Sequence, residues 1–191
     1  MRIDRLVVAS KNPDKIAEIA EVLTDSGLNF ELVENLDWPD VDETGASLEE
    51  NALKKAREVF KATGLPSLAD DTGLFVDALG GLPGVNTARF AGANATYTDN
   101  VALLLQKLRG VEDRAAVFRT VVALVSESEE HLAEGVLHGL IALETRGKGG
   151  FGYDPVFEVG GSQTLAELDA SEKKRLSHRA NALRQLITKL K

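Results

Sequence analysis

Apolar residues recur along the chain in two rhythms, and their changes mark its elements. Leu6-Val7-Val8-Ala9 is a short apolar run closed by polar residues, after which Ile16, Ile19, Ala20 and Leu23 fall on one helical face. The order predicted is strand, turn, helix. Asn12 is placed to cap that helix and Pro13 to sit in its first turn. The segment Ser10-Lys11-Asn12-Pro13-Asp14-Lys15 therefore wraps a helix N-terminus, where backbone N–H groups and the helix dipole favour an anion. A second unit begins at Phe30 to Val33, crosses an acidic loop from Asp37 to Gly45, and enters a helix in which Ser47 and Glu50 have capping-box spacing. Gly64 ends that helix. Leu68-Ala69 leads into Asp70-Asp71-Thr72-Gly73, followed by Leu74 to Leu79 and the Gly/Pro-rich loop Gly80 to Gly84. A third helix is predicted from Thr98 to Leu108, stopped by Gly110. Ala115 to Val125 and Leu132 to Leu143 read as two longer strands joined by a polar turn at Ser126 to Glu130, a predicted hairpin. Leu176, Ala180, Leu183, Ile187 and Leu190 define a terminal amphipathic helix, with Lys173, Ser177, His178 and Arg179 near its start. No repeat or low-complexity linker interrupts this order, so the expectation is a single mixed α/β domain over residues 1–191.

Composition narrows the chemistry. The 191 residues are 43% hydrophobic, enough to bury a substantial core. A net charge of -8 argues against a surface for long polyanions, so no polynucleotide partner is expected, and phosphate must be met by locally gathered Lys and Arg. The absence of cysteine removes thiol nucleophiles, thiolate metal sites and disulfides. Met1-Arg2-Ile3-Asp4-Arg5 runs directly into an apolar stretch too short for a signal peptide, and the longest apolar stretch, around Val121 to Val125, falls far below the ~20 residues of a membrane span. A cytoplasmic protein with no membrane association is the expectation.

The acidic candidates are Asp70-Asp71 and the stretch Asp40, Asp42, Glu43, because a hard cation such as Mg²⁺ takes carboxylate oxygens and leaves its other positions to water and phosphate. The bland reading of Asp40 to Glu43 is a solvated loop. Asp70-Asp71, at the end of an apolar run and followed by Thr-Gly, is expected where a sheet presents ligands at its strand ends; a turn is the competing use. Lys15, Lys55, Lys173, His178 and Arg179 are each unremarkable as surface cations and become suggestive only together. The loop from Arg146 to Pro155 carries four glycines that permit close backbone approach and two aromatics, Phe151 and Tyr153, suited to stacking on a base. It contains a formal GxGxxG at Gly147, Gly149 and Gly152, but Pro155 and Val156-Phe157 interrupt the helix which that motif should open. Asp71-Thr72-Gly73 spells the aspartic protease triplet, yet those enzymes are nearly all β and this pattern has four helices. GxSxG, HExxH and Walker motifs are all missing.

Taken together, Ser10 to Lys15, Glu43-Thr44-Gly45 with Glu50 to Ala56, Leu68 to Leu74, Gly149 to Pro155 and Ser177-His178-Arg179 resemble the inosine triphosphate pyrophosphatase family in order and spacing. That resemblance implies an elongated α/β fold with a twisted mixed central sheet flanked by helices, and two lobes around a nucleotide cleft. It also implies a homodimer that hydrolyses ITP, dITP and XTP to the monophosphate and pyrophosphate with Mg²⁺, cleansing the nucleotide pool. Position by position, Ser10, Lys11, Asn12, Pro13, Asp14 and Lys15 would cradle the triphosphate and Lys55 would contact phosphate. Glu43 and Asp71 would hold the metal, with Asp71 also the proton acceptor. Thr72 would lie near the substrate, Phe151, Gly152, Tyr153 and Asp154 would form the base-side loop, and Lys173, His178 and Arg179 would complete the substrate contacts. The family's first motif commonly begins Thr-Gly-Asn, whereas here it is Ser10-Lys11-Asn12.

The expected chemistry is attack of an activated water near the α-phosphorus, with Lys15 and Lys55 meeting the developing charge. Purine choice is expected to rest on the 6-position, where a carbonyl accepts from His178 and Arg179 and an adenine amino group does not. Two alternatives stand beside this reading: a pyrophosphatase for altered pyrimidines, and a nucleotide sensor that binds without turnover.

Overall fold

The computed structural model describes residues 3–34 and 36–190; Met1 and Arg2, at the start of the opening run, lie outside them, as do Asn35 and Lys191. Strand β1 (Arg5–Val8) pairs in parallel with β2 (Glu31–Leu32) on one side and with β3 (Ser67–Val76) on the other. Beyond β3 the sheet continues through β5 (Ala115–Val125), β6 (Glu130–Ile141), β7 (Phe157–Val159) and β8 (Gln163–Thr164), while β4 (Pro83–Gly84) pairs with β3 off this path. The sheet is mixed, with β3–β4, β6–β7 and β7–β8 antiparallel.

The helices follow their local chemistry. Helix α1 (Pro13–Thr24) is capped by Asn12, whose side chain accepts from Asp14 N at 2.9 Å and Lys15 N at 3.4 Å. Ser47 caps α2 (Leu48–Thr63) by accepting from Glu50 N, but Glu50 reaches back to Ala46 N rather than to the cap residue itself. Gly64 closes α2 at φ 68, a left-handed conformation that glycine adopts without steric cost. Helix α3 (Tyr97–Lys107) starts one residue earlier than expected, because Thr96 and Asp99 form a full capping box. The expected terminal helix is two: α4 (Ala170–Leu176), boxed by Asp169 and Glu172, and α5 (His178–Leu190), separated by Ser177 in an extended conformation.

The chain divides into two compact units. The first, formed by residues up to Thr72, by Thr120–Gly135 and by His178 onward, has a core of Leu6, Val8, Ile19, Leu23, Leu68, Val122, Leu124, Leu183 and Leu186, with α1 packed on α5. The second, Gly73–Arg119 with Val136–Ser177, packs Leu74, Val76, Leu104, Leu108, Phe118, Ile141, Tyr153 and Phe157. Phe118 and Phe157 meet at 4.5 Å between ring centroids. Strands β5 and β6 adjoin as the hairpin expected, their turn closed by Ser126 N donating to Glu129 O at 3.0 Å. The second strand of the pair starts and ends two residues earlier than its apolar run. No helix among the described residues is long and apolar enough to cross a membrane.

Candidate active site

Asp70 and Asp71 do not end a strand: β3 runs on to Val76. What stops is its neighbour. The β1 register reaches Leu68, after which Ala9 N donates to Leu68 O at 2.7 Å and the chain turns toward the α1 N-terminus. Past that point β3 has lost its parallel partner, and the opening is where both carboxylates lie.

Asp70 is buried, at 1% exposure. Its Oδ2 accepts from Arg179 Nε at 3.0 Å and pairs with Lys15 Nζ at 3.2 Å, whereas its Oδ1 has no hydrogen-bond partner among the described residues. Burial alone would raise its pKa, but Lys15, Arg179 and Lys55 outweigh that and hold the carboxyl well below the usual range. Lys15 is pulled down, first by burial and then by the neighbouring Lys55 and Arg179, with Asp70 opposing. Arg179 is pinned on three sides: Nε to Asp70, Nη1 to Glu18 of α1, and Nη2 to Thr72 Oγ1 at 3.3 Å.

Asp71 has a different setting. Its Oδ2 accepts from Asn51 Nδ2 at 3.0 Å, and its Oδ1 pairs with Lys55 Nζ at 3.4 Å. Lys55 also binds Glu43 Oε1 at 2.5 Å, so one ammonium joins two carboxylates. Burial, with Glu43 adding to it, pushes the Asp71 carboxyl above its ordinary value against the pull of Lys55 and Lys15. Asn51 also accepts from Gly45 N at 2.8 Å, tying the acidic loop to the same side chain that orients Asp71. A Cβ at Gly45 would stand 2.7 Å from Asn51 Oδ1, so that loop needs glycine there. Lys54 anchors the loop further through Asp42 O and Thr44 Oγ1, and Lys11 pairs with Asp40 at an exposed position.

A chain of hydroxyls completes this unit. Thr72 Oγ1 lies 2.7 Å from Thr120 Oγ1, which lies 2.6 Å from His178 Nδ1. Ser10, Asn12, Pro13 and Asp14 form the α1 entry, where Asn12 N donates to Ser10 Oγ at 3.2 Å.

In the second unit Phe151, Gly152, Tyr153 and Asp154 form a tight turn. Asp154 Oδ2 accepts from Phe151 N at 2.8 Å and from Lys173 Nζ at 2.6 Å, and that ammonium stands 5.0 Å over the Phe151 ring. Gly150, at φ 68, lies against the Asp154 carboxylate where any Cβ would collide with it. Tyr153 is core: its ring is buried and its hydroxyl donates to Thr87 O at 3.1 Å. Phe151 is the half-exposed aromatic of the pair.

Glu18, Asn51 and Thr120 were not singled out as site residues from the sequence. Each left a trace. Glu18 follows Lys15 by three positions on one helix face, Asn51 precedes Lys55 by four, and Thr120 is a polar residue inside an otherwise apolar strand.

A family model for the Ham1 family matches residues 6–189. The chain belongs to the Ham1 family. Among curated proteins of this family, it is similar to a dITP/XTP pyrophosphatase from Coxiella burnetii, 46% identical over 191 residues that cover 97% of this chain and 96% of the relative. It is also similar to a dITP/XTP pyrophosphatase from Mycolicibacterium paratuberculosis, 49% identical over 97% of this chain and 95% of the relative. Among solved Ham1 structures, a HAM1 protein from Coxiella burnetii superposes with a TM-score of 0.87 at 44% identity, covering 98% of each chain. The mixed α/β architecture expected from the sequence is thus the architecture of this family.

Proposed function

We propose that this chain hydrolyses dITP, XTP and ITP to the nucleoside monophosphate and pyrophosphate, its 191 residues acting as one catalytic domain. One observation carries the proposal: Lys15, Lys55 and Arg179 converge on Asp70 and Asp71 beside the N-terminus of α1. A triphosphate is the kind of ligand that such fixed positive charge, next to a helix N-terminus, would hold. The curated relatives named dITP/XTP pyrophosphatase support the first two of these substrates, and ITP shares the base of dITP.

Asp71 is read as the proton acceptor for the attacking water. Its raised affinity for protons suits a general base, and Asn51 fixes its orientation. Water adds its oxygen to the α-phosphorus, its proton passes to Asp71, and pyrophosphate leaves with the electrons of the broken anhydride bond. Lys15 meets the charge that develops on the phosphates, and Lys55 does so from the side of Glu43 and Asp71. The sharing of one ammonium by Glu43 and Asp71 fits a divalent cation at the same oxygens, and these two residues would hold Mg²⁺. When bound, the ion would supply positive charge to the phosphate oxygens.

For the base, His178 is read as the donor to the purine 6-carbonyl. Arg179, already donating to Asp70, Glu18 and Thr72, is read as the anchor that keeps the charge cluster in place. A cytoplasmic homodimer completes the reading, and sedimentation of the purified protein tests the dimer. The decisive assay incubates the protein and Mg²⁺ with ITP, XTP, dITP, ATP, GTP and CTP and follows pyrophosphate and orthophosphate separately. Pyrophosphate released mainly from ITP, XTP and dITP is expected; orthophosphate as first product, or binding without turnover, sinks the proposal.

A further inference from the structure

Two hydroxyls stand between the charge cluster and His178, and the order of their hydrogen bonds decides what the imidazole can recognise. Thr72 Oγ1 has one proton and two acceptors within reach, Asp70 Oδ2 at 3.3 Å and Thr120 Oγ1 at 2.7 Å. Asp70 Oδ2 is already served by Arg179 Nε at 3.0 Å and Lys15 at 3.2 Å, and 3.3 Å is long for a bond between oxygens, whereas 2.7 Å is ordinary. Arg179 Nη2 approaches Thr72 Oγ1 at 3.3 Å, an equally long contact, but its N–H can only donate, so the Thr72 proton turns away from the guanidinium. The Thr72 proton therefore points to Thr120. Thr120, accepting it, directs its own proton to His178 Nδ1 at 2.6 Å.

We propose that Thr120 is a positioning residue for purine selectivity, holding His178 as the Nε2–H tautomer through the relay Arg179–Thr72–Thr120–His178. Nδ1 is then an acceptor, and the neutral ring carries its proton on Nε2. An Nε2–H donor matches a purine carbonyl; the opposite tautomer would present an acceptor, which matches the amino group of adenine. Thr120 is fully buried and acts only through His178. The proposal rests on the pyrophosphatase reading for its consequence, but the tautomer itself is measurable without turnover.

The test labels the three histidines with ¹⁵N and reads the His178 ring-nitrogen shifts at neutral pH, assigned by the loss of signal in His178→Gln, in the full-length protein and in Thr120→Val and Thr120→Ser. Alongside, kcat/KM is measured for dITP and dATP. The wild type should show a protonated Nε2, and Thr120→Val should mix the tautomers and lower the dITP-to-dATP ratio about tenfold, as loss of one buried hydrogen bond would. Thr120→Ser should restore both. A wild-type ring protonated on Nδ1, or an unchanged ratio in a folded Thr120→Val, overturns the relay. If Thr120→Val does not fold, the wild-type and Thr120→Ser tautomers still decide. A wild type that turns over neither nucleotide yet shows the Nε2–H tautomer upholds the relay and refutes the pyrophosphatase reading.

Discussion

Replacing Asp70 with asparagine should destabilise the free protein strongly and, unusually, make its stability respond to anions. The substitution keeps the side-chain volume at a site with 1% exposure and removes only the charge. Asp70 lies 3.0 Å from Arg179 Nε and 3.2 Å from Lys15 Nζ, and each such pair is worth about 5 kcal/mol at an effective dielectric of ~20. The cost of burying the carboxylate offsets part of this, so the net loss expected on removing one partner of a buried network is about 3–5 kcal/mol. Left behind are two cations with Lys55 close by, and an anion would then supply the missing charge. Urea unfolding, with and without pyrophosphate at matched ionic strength, measures both effects. Pyrophosphate should stabilise Asp70→Asn by about 2.7 kcal/mol when its concentration is 100 times its dissociation constant for the variant, and the wild type by less. A loss below about 1 kcal/mol, or equal stabilisation of both proteins by pyrophosphate, would refute the reasoning, since a buried pair broken on one side should cost several times more. The pH dependence has a definite sign. Because the Asp70 pKa is depressed by folding, its contribution is complete above the unfolded value of about 4 and drains away as the pH falls toward the lower folded value. The wild type should thus lose stability more steeply in acid than Asp70→Asn does.

Asp71→Ala should abolish pyrophosphate release from dITP while leaving nucleotide binding measurable by calorimetry; a variant with normal turnover ends its assignment as the base. Asn51→Leu removes the group that donates to Asp71 and accepts from Gly45, and kcat should fall roughly 10- to 100-fold with a smaller change in KM, read from steady-state kinetics. Gly135→Ala places a methyl group against the backbone of His178 and Ala182 at the start of α5; it should cost about 3 kcal/mol or more by denaturant unfolding, beyond ordinary overpacking because backbone cannot rotate aside. A Gly135→Ala protein as stable as the wild type would show that α5 moves freely on β6.

The contrast between what was and was not legible in the sequence follows the range of the interactions. Asn12-Pro13, Ser47 and Gly64 were readable because a helix end is decided by groups within a few residues of it. The break at Ser177 and the boxes at Thr96 and Asp169 are equally local and could have been found from their spacing. The position of Asp70 and Asp71 within β3 was not legible, since the opening beside them is made by β1 ending rather than by β3. Least legible was the pairing of charges. Arg179 and Asp70 are 109 residues apart in sequence, and Arg179 could be recognised as a candidate but not as the partner of Asp70, Glu18 and Thr72 at once. A motif tells which groups are present at a site; the state of each depends on which others fold gathers within a few ångströms, because burial and charge act together there. Adjacent Asp70 and Asp71 show this plainly: one is driven down by two cations on a single oxygen, the other is pushed up by burial beside Glu43, and the same residue type in consecutive positions holds its charge firmly in one case and its proton more readily in the other.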